Sequence, residues 1–183
     1  QCKYAYLEEY SENAGLQSFL NSIQNYCSLR GQQPNLYKCF LPQSWKYINN
    51  KGCSSFLHPD GVYDDPNGGP LRQQLYTRLK YHFQFINEKL LFKEIGHPNI
   101  FGINVYGSSR NKSQIQFDSI SNLFVPETID ECYANHGEGN AEGLKNDNGS
   151  WSIKGHKTRI IRYSYNQLRI MANLFDYKNP MET

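Results

Sequence analysis

The chain has 183 residues, 38% of them hydrophobic and 14% aromatic, with a formal net charge of +2. That length suits one domain with a real core, and 14 Tyr and 10 Phe exclude a disordered polar chain. A charge this close to zero excludes a global field for nucleic acid or anionic membranes, and no apolar run reaches the length of a bilayer span.

The chain opens at Gln1-Cys2, as a mature protein does after signal cleavage. Leu16, Phe19, Leu20, Ile23, Cys27 and Leu29 then recur near i, i+3, i+4, i+7 spacing. This predicts a core-packing helix over Asn13–Arg30, capped by Ser11 or Asn13 and stopped by Gly31. Cys2, Cys27, Cys39 and Cys53 crowd the first third, while Cys132 stands alone. The four are disulfide candidates in an oxidising compartment, with three connectivities open. Cys132 reads as a buried thiol, with an intermolecular bridge as the other reading. No C-x2-C pair is present, so zinc ranks well below disulfides.

Residues 35–50 suggest a short helix begun by Pro42. From His58 to Gly69 two X-Pro pairs, Asp60-Gly61 and Asn67-Gly68 predict a surface loop. Its Asp60, Asp64, Asp65 and Asn67 read as turn residues rather than calcium ligands. Pro70 starts a helical repeat through Leu71, Leu75, Leu79, Phe83, Ile86 and Leu90. Tyr81, Phe83 and Phe85 also alternate, so the helix is expected to stop near Lys80, with a strand following.

Ile100–Tyr106 reads as a strand, with Gln114–Ile120 as its partner and Leu123–Val125 as a third short strand. Pro126 opens a helix carrying Ile129, Cys132 and Tyr133. Residues 137–150 form a polar loop, Trp151–Tyr165 gives one or two strands, and Leu168, Met171, Leu174 and Phe175 a closing helix. The expected fold is α+β: a single disulfide-containing domain over 1–183, with N-terminal helices packed on a mostly antiparallel sheet.

Two segments, Asn111-Lys112-Ser113 and Asn148-Gly149-Ser150, match the N-glycosylation pattern, which makes Asn111 and Asn148 glycan acceptors in a secretory lumen. With the clustered cysteines they predict a secreted, extracellular glycoprotein. An acidic stretch from Glu127 to Asp147 precedes Lys154, Lys157, Arg159, Arg162 and Arg169. Alternation along a strand would split those cations between both faces, which weakens them as an RNA-binding patch. His97, His136 and His156, with Lys157 or Arg159, nevertheless supply the residue types of a metal-independent ribonuclease. One histidine accepts the 2′-hydroxyl proton, another protonates the leaving oxygen, and a cation steadies the phosphorane.

Three segments resemble known families. Glu131-Cys-Tyr-Ala-Asn-His136-Gly137 resembles the E-W-x-K-H-G segment of T2-type ribonucleases, one position out of step and without the Trp. His82-Phe-Gln-Phe with Gly96-His97-Pro-Asn99 resembles the two histidine segments of EndoU-type endoribonucleases. His136-x-x-Gly139-x-Ala141-x-Gly143-Leu144 is similar to the H-x-x-G-x-A-x-D-L run of some zinc peptidases, with Gly143 where the metal-binding Asp would stand. Each covers a short stretch, and none assigns the chain to a family.

No P-loop, G-x-S-x-G, H-E-x-x-H or C-x-x-C is present, and nothing calls for a cofactor or a metal. The functional expectation is therefore extracellular binding of a partner protein or glycan through a Tyr-rich surface. The histidine ribonuclease, with RNA as its partner, is the alternative. A disulfide-linked dimer through an unpaired cysteine is a third.

Overall fold

The computed structural model describes residues 2–33 and 35–175; Gln1 lies outside them. Five strands form one mixed sheet: β1 (Ser54–Pro59), β2 (Leu79–Ile86), β3 (Ile100–Tyr106), β4 (Gln116–Leu123) and β5 (Ile161–Ser164), in the order β1-β3-β2-β4-β5. The helices are α1 (Cys2–Leu20), α2 (Leu36–Tyr47), α3 (Gly61–Asp64), α4 (Gly69–Tyr76), α5 (Glu127–Ala134) and α6 (Tyr165–Phe175). The class is α+β, as the sequence predicts.

Three strand pairs are antiparallel and one, β2–β4, is parallel. The expected pairing of residues 100–106 with 114–120 does not form. β3 lies between β1 and β2, and β4 takes the other side of β2. Alternation marks a strand but does not name its neighbour.

The switch from helix to strand near residue 80 is real: α4 ends at Tyr76 and β2 begins at Leu79. A register shift between Leu79 and Tyr81 in the β2–β3 ladder explains why the helical repeat ran on. The irregularity lets Leu79 join the core on one face while Phe85 joins the core on the other. The first core gathers Leu41, Val62, Leu71, Leu75, Tyr106 and Phe117 beneath α2, α3 and α4. The second gathers Phe85, Phe101, Ile120, Leu123 and Cys132 beneath α5.

Two expectations are corrected. The N-terminal helix forms, but it starts earlier, ends at Leu20, and none of its residues is buried. Only Leu20, at its last position, packs against the first core. Helical spacing reports which residues share a face; it does not report whether anything covers that face.

The disulfide framework is also absent: all five cysteines are free. Cys39 is turned into the first core and Cys132 into the second, while Cys2, Cys27 and Cys53 are exposed. Crowding in sequence did not bring the four N-terminal sulfurs together. Burial pushes the Cys39 and Cys132 thiols up, as expected of inert core residues.

Candidate functional site

The chemically densest region lies on the first face of the sheet. Phe56, Asn104, His82 and Ser119 are successive cross-strand neighbours over β1, β3, β2 and β4. Asp60, just past β1, accepts from His82 Nε2 at 3.1 Å and from Gln84 Nε2 at 2.7 Å. His82 Nδ1 lies 3.1 Å from Ser119 Oγ. An Nε2 proton given to the carboxylate leaves Nδ1 to accept from the serine hydroxyl. That is the hydrogen-bond polarity of a serine–histidine–aspartate relay.

Beside it, His58 Nδ1 faces the Pro59 carbonyl at 2.8 Å, which places the proton on Nδ1. Nε2 is then free to accept from the Tyr106 hydroxyl at 3.1 Å. The Tyr63 hydroxyl donates to Asn104 Oδ1 at 2.5 Å. Burial raises both phenols well above their ordinary range, so they remain donors. Gly102 closes the cluster: a Cβ there would sit 2.6 Å from Asp60 Oδ1 and 2.9 Å from Asn104 Nδ2.

Charge in this cluster is held by compensation. Burial opposes ionisation of Asp60, but the hydrogen bonds from His82 and the Gln84 amide help to outweigh it and keep the carboxyl below its ordinary value. Burial depresses His58 in turn, against the opposing pull of the Pro59 carbonyl and Asp60. Ser119 is only 4% exposed and His82 9%. The serine hydroxyl has no open face for a substrate, so the relay ties the end of β1 to β2 and β4 rather than presenting a nucleophile.

A cavity of about 350 Å³ lies between α3, α4 and α6, lined by Tyr63, Arg72, Tyr76, Leu168 and Met171 among others. Arg72, its one cation, is directed to the backbone carbonyls of Val62 and Asp65.

Further exposed apolar residues lie on α1, α2 and β1. Tyr4, Tyr6, Leu7, Tyr10, Leu16 and Phe19 are all exposed on α1, with Tyr6 and Tyr10 stacked at 6.3 Å. On α2, Leu36, Phe40 and Tyr47 share one side at i, i+4, i+11 and are exposed, while Lys38, Cys39 and Leu41 are buried. Leu57 on β1 is 52% exposed. Aromatic abundance in the sequence foreshadows such a surface, but only packing locates it.

The predicted ribonuclease residues sit in different settings. His97 is exposed in the β2–β3 connection and lies 3.4 Å from Glu88. His136 is exposed just beyond α5. His156 is buried, its Nδ1 accepting from the Thr158 amide and facing the Thr158 hydroxyl at 2.8 Å. Lys157 and Arg159 belong to a 3-10 turn before β5, not to a strand. Arg159 reaches the carbonyls of Ser121 and Asn122, and the Lys157 amide donates to Asn135 Oδ1. Among the described residues, no side-chain hydrogen bond or ion pair joins these five to one another. Arg162, from the same basic stretch, is bound in a two-point contact to Asp118 at 2.7 and 3.0 Å.

Asn111 and Asn148 are both exposed and both lie in turns. Asp60 and Asp65, placed together in one predicted loop, point apart: Asp60 to His82, and Asp65 to Lys38 and the Asn67 amide. The sequence reading missed the Asp60–His82–Ser119 relay, because its members lie just past β1 and on β2 and β4, with no spacing signal. No protein-family model matches the chain, and no curated protein matches it.

Proposed function

We propose that the chain works by binding another protein, through the apolar surface of α1, the outer side of α2 and β1. The observation that carries this is α1: 19 residues of helix without one buried side chain. Its exposed apolar and aromatic residues stand at positions 4, 6, 7, 10, 16 and 19, which distributes them around the helix axis. They are interleaved with Lys3, Glu8, Glu9 and Glu12, and large apolar side chains left uncovered gain free energy when a partner encloses them. An isolated helix with Gly15 in its interior has little stability of its own in water. Enclosure would bury six large side chains, each contributing about 1.5–3 kcal/mol on full burial.

A partner protein fits this surface better than a glycan, since the exposed residues include Leu7, Leu16, Leu36 and Leu57 as well as tyrosines. A secretory setting now has only the two exposed sequons in its support, because the free cysteines remove the disulfide half of that case.

The test is site-specific photo-crosslinking in the source cells. A benzophenone amino acid replaces Tyr6 or Phe40, with Ile161, exposed on the opposite edge strand, as control. Tyr6 and Phe40 are expected to capture the same protein, and Ile161 none. Failure of Tyr6 to crosslink, or equal capture from all three positions, would refute the proposal.

A further inference from the structure

We propose that Cys53 and Lys80 are a modification site: peroxide joins them by a reversible sulfur–nitrogen bond. The site is independent of the docking surface proposed above. The Lys80 ammonium donates to Cys53 Sγ at 3.3 Å, and both residues are exposed. Reacting atoms about 3–3.5 Å apart already stand at near-attack distance.

Three features of the chain build this contact. Cys53 stands one residue before β1 and Gly107 one residue after β3, and their neighbours Ser54 and Tyr106 pair. β3 lies between β1 and β2, so Lys80 must reach across it to meet Cys53. Leu79 pairs with Tyr106 and Tyr81 with Val105, which makes Lys80 the extra residue of the irregularity in β2. An extra residue of this kind re-aims its side chain out of the regular alternation. The Lys80 stem then crosses the end of β3 over Gly107. A Cβ at Gly107 would lie 2.5 Å from Lys80 Cε and 3.2 Å from Nζ. A side chain there would push Lys80 off this path. Cys53 is free. Among the described residues no carboxylate forms an ion pair with Lys80, so the reaction breaks no salt bridge.

The chemistry has two steps. The Cys53 sulfur attacks hydrogen peroxide; the O–O bond breaks, an S–O bond forms and one water leaves. Sulfur is oxidised by two electrons to the sulfenic acid, and the peroxide is reduced. Lys80 then gives its ammonium proton to solvent, and the Nζ lone pair attacks Sγ. The S–N bond forms as the S–O bond breaks, and the departing hydroxide takes one N–H proton as a second water. Sulfenic acids condense with a neighbouring nitrogen in this way. A small thiol reverses the link. It attacks Sγ, the S–N bond breaks and the amine takes the thiol proton. A second thiol then frees Cys53 and leaves as a small disulfide. The link ties the edge strand β1 to β2 across β3 and keeps Cys53 from irreversible oxidation.

The test treats the folded chain with hydrogen peroxide, digests it without reductant and reads the peptides by mass spectrometry. The expected product joins the Cys53 and Lys80 peptides, is lighter than their sum by two hydrogens, and falls apart in dithiothreitol. Lys80→Arg keeps the cation and removes the amine. It should abolish the link and raise capture of the Cys53 sulfenic acid by a cyclic dione at least about ten-fold, because the positioned nucleophile is gone. Lys51→Arg, nearer in sequence, should change neither, and thermal melts establish that each variant is folded. Several results would overturn the proposal. One is a Cys53 that stays unreacted, or ends as sulfinic acid or in a disulfide, without a Lys80 product. Another is the same yield of link in urea, where the folded geometry is lost. A product that keeps one oxygen atom would overturn the direct sulfur–nitrogen bond.

Discussion

His58 and Asp60 stand two residues apart at the end of β1, and both are tuned to resist protonation. The folded His58 binds its proton less readily than an ordinary histidine, chiefly through burial. The unfolded chain therefore takes up more protons below the ordinary value of 6.5, and stability falls as pH drops from there through the folded value. Asp60 is also lowered, so the stability it contributes is full above 3.8 and is lost as pH falls through its own folded value. Urea unfolding between pH 8 and pH 3 is expected to show two successive losses. His58→Gln should abolish the upper one, and Asp60→Asn should lower stability at pH 7 by about 1–3 kcal/mol, since it weakens a buried charge-assisted contact. An unchanged upper loss in His58→Gln would assign it to another group. None of this was legible in the sequence. The segment from His58 to Gly69 reads as a loop because of its Gly, Pro and Asp content, and Asp60 and Val62 within it are nevertheless buried. Turn chemistry describes the backbone path; the environment of each side chain depends on what packs over it.

At the scale of elements, α1 and α2 make the clearest contrast. Both are helices with aromatic residues, yet Leu41 on α2 is fully buried and no residue of α1 is. Leu41→Ala is expected to cost about 2–5 kcal/mol through lost burial and the cavity left behind. Tyr6→Ser combined with Tyr10→Ser should change the stability of the isolated chain by no more than about 1 kcal/mol, because neither side chain packs against the core. Chemical denaturation of the three proteins decides this, and a large loss in the α1 variant would mean that α1 folds back onto the domain. α4, α5 and α6 were readable from spacing and from Pro70 and Pro126, whereas α2 begins at Leu36, with the Pro42 expected to start it in its interior. The end of α4 was readable only as a conflict between two periods, and the irregularity after Leu79 resolves it by turning the chain from one core to the other.

For the whole molecule, strand order decides which backbone is protected. β2 has neighbours on both sides, β3 and β4, while β1 has one. Amides on the outer side of β1 should exchange with solvent at least about ten-fold faster than those in the middle of β2, a difference hydrogen-exchange NMR resolves. Uniform protection across β1 in the isolated chain would show that its edge is already covered.

Sequence alone determined the α+β class, the lack of a membrane-length apolar run, and the positions of α4, α5 and α6, because these follow from local periodicity and from proline and glycine. Tertiary structure alone decided the strand order, the fate of the cysteines, the Asp60–His82–Ser119 relay and the bare surface over α1 and β1. Each of those depends on contacts between residues far apart in the chain. Local spacing carries no record of such contacts, for a side chain's burial is fixed by the element that arrives opposite it.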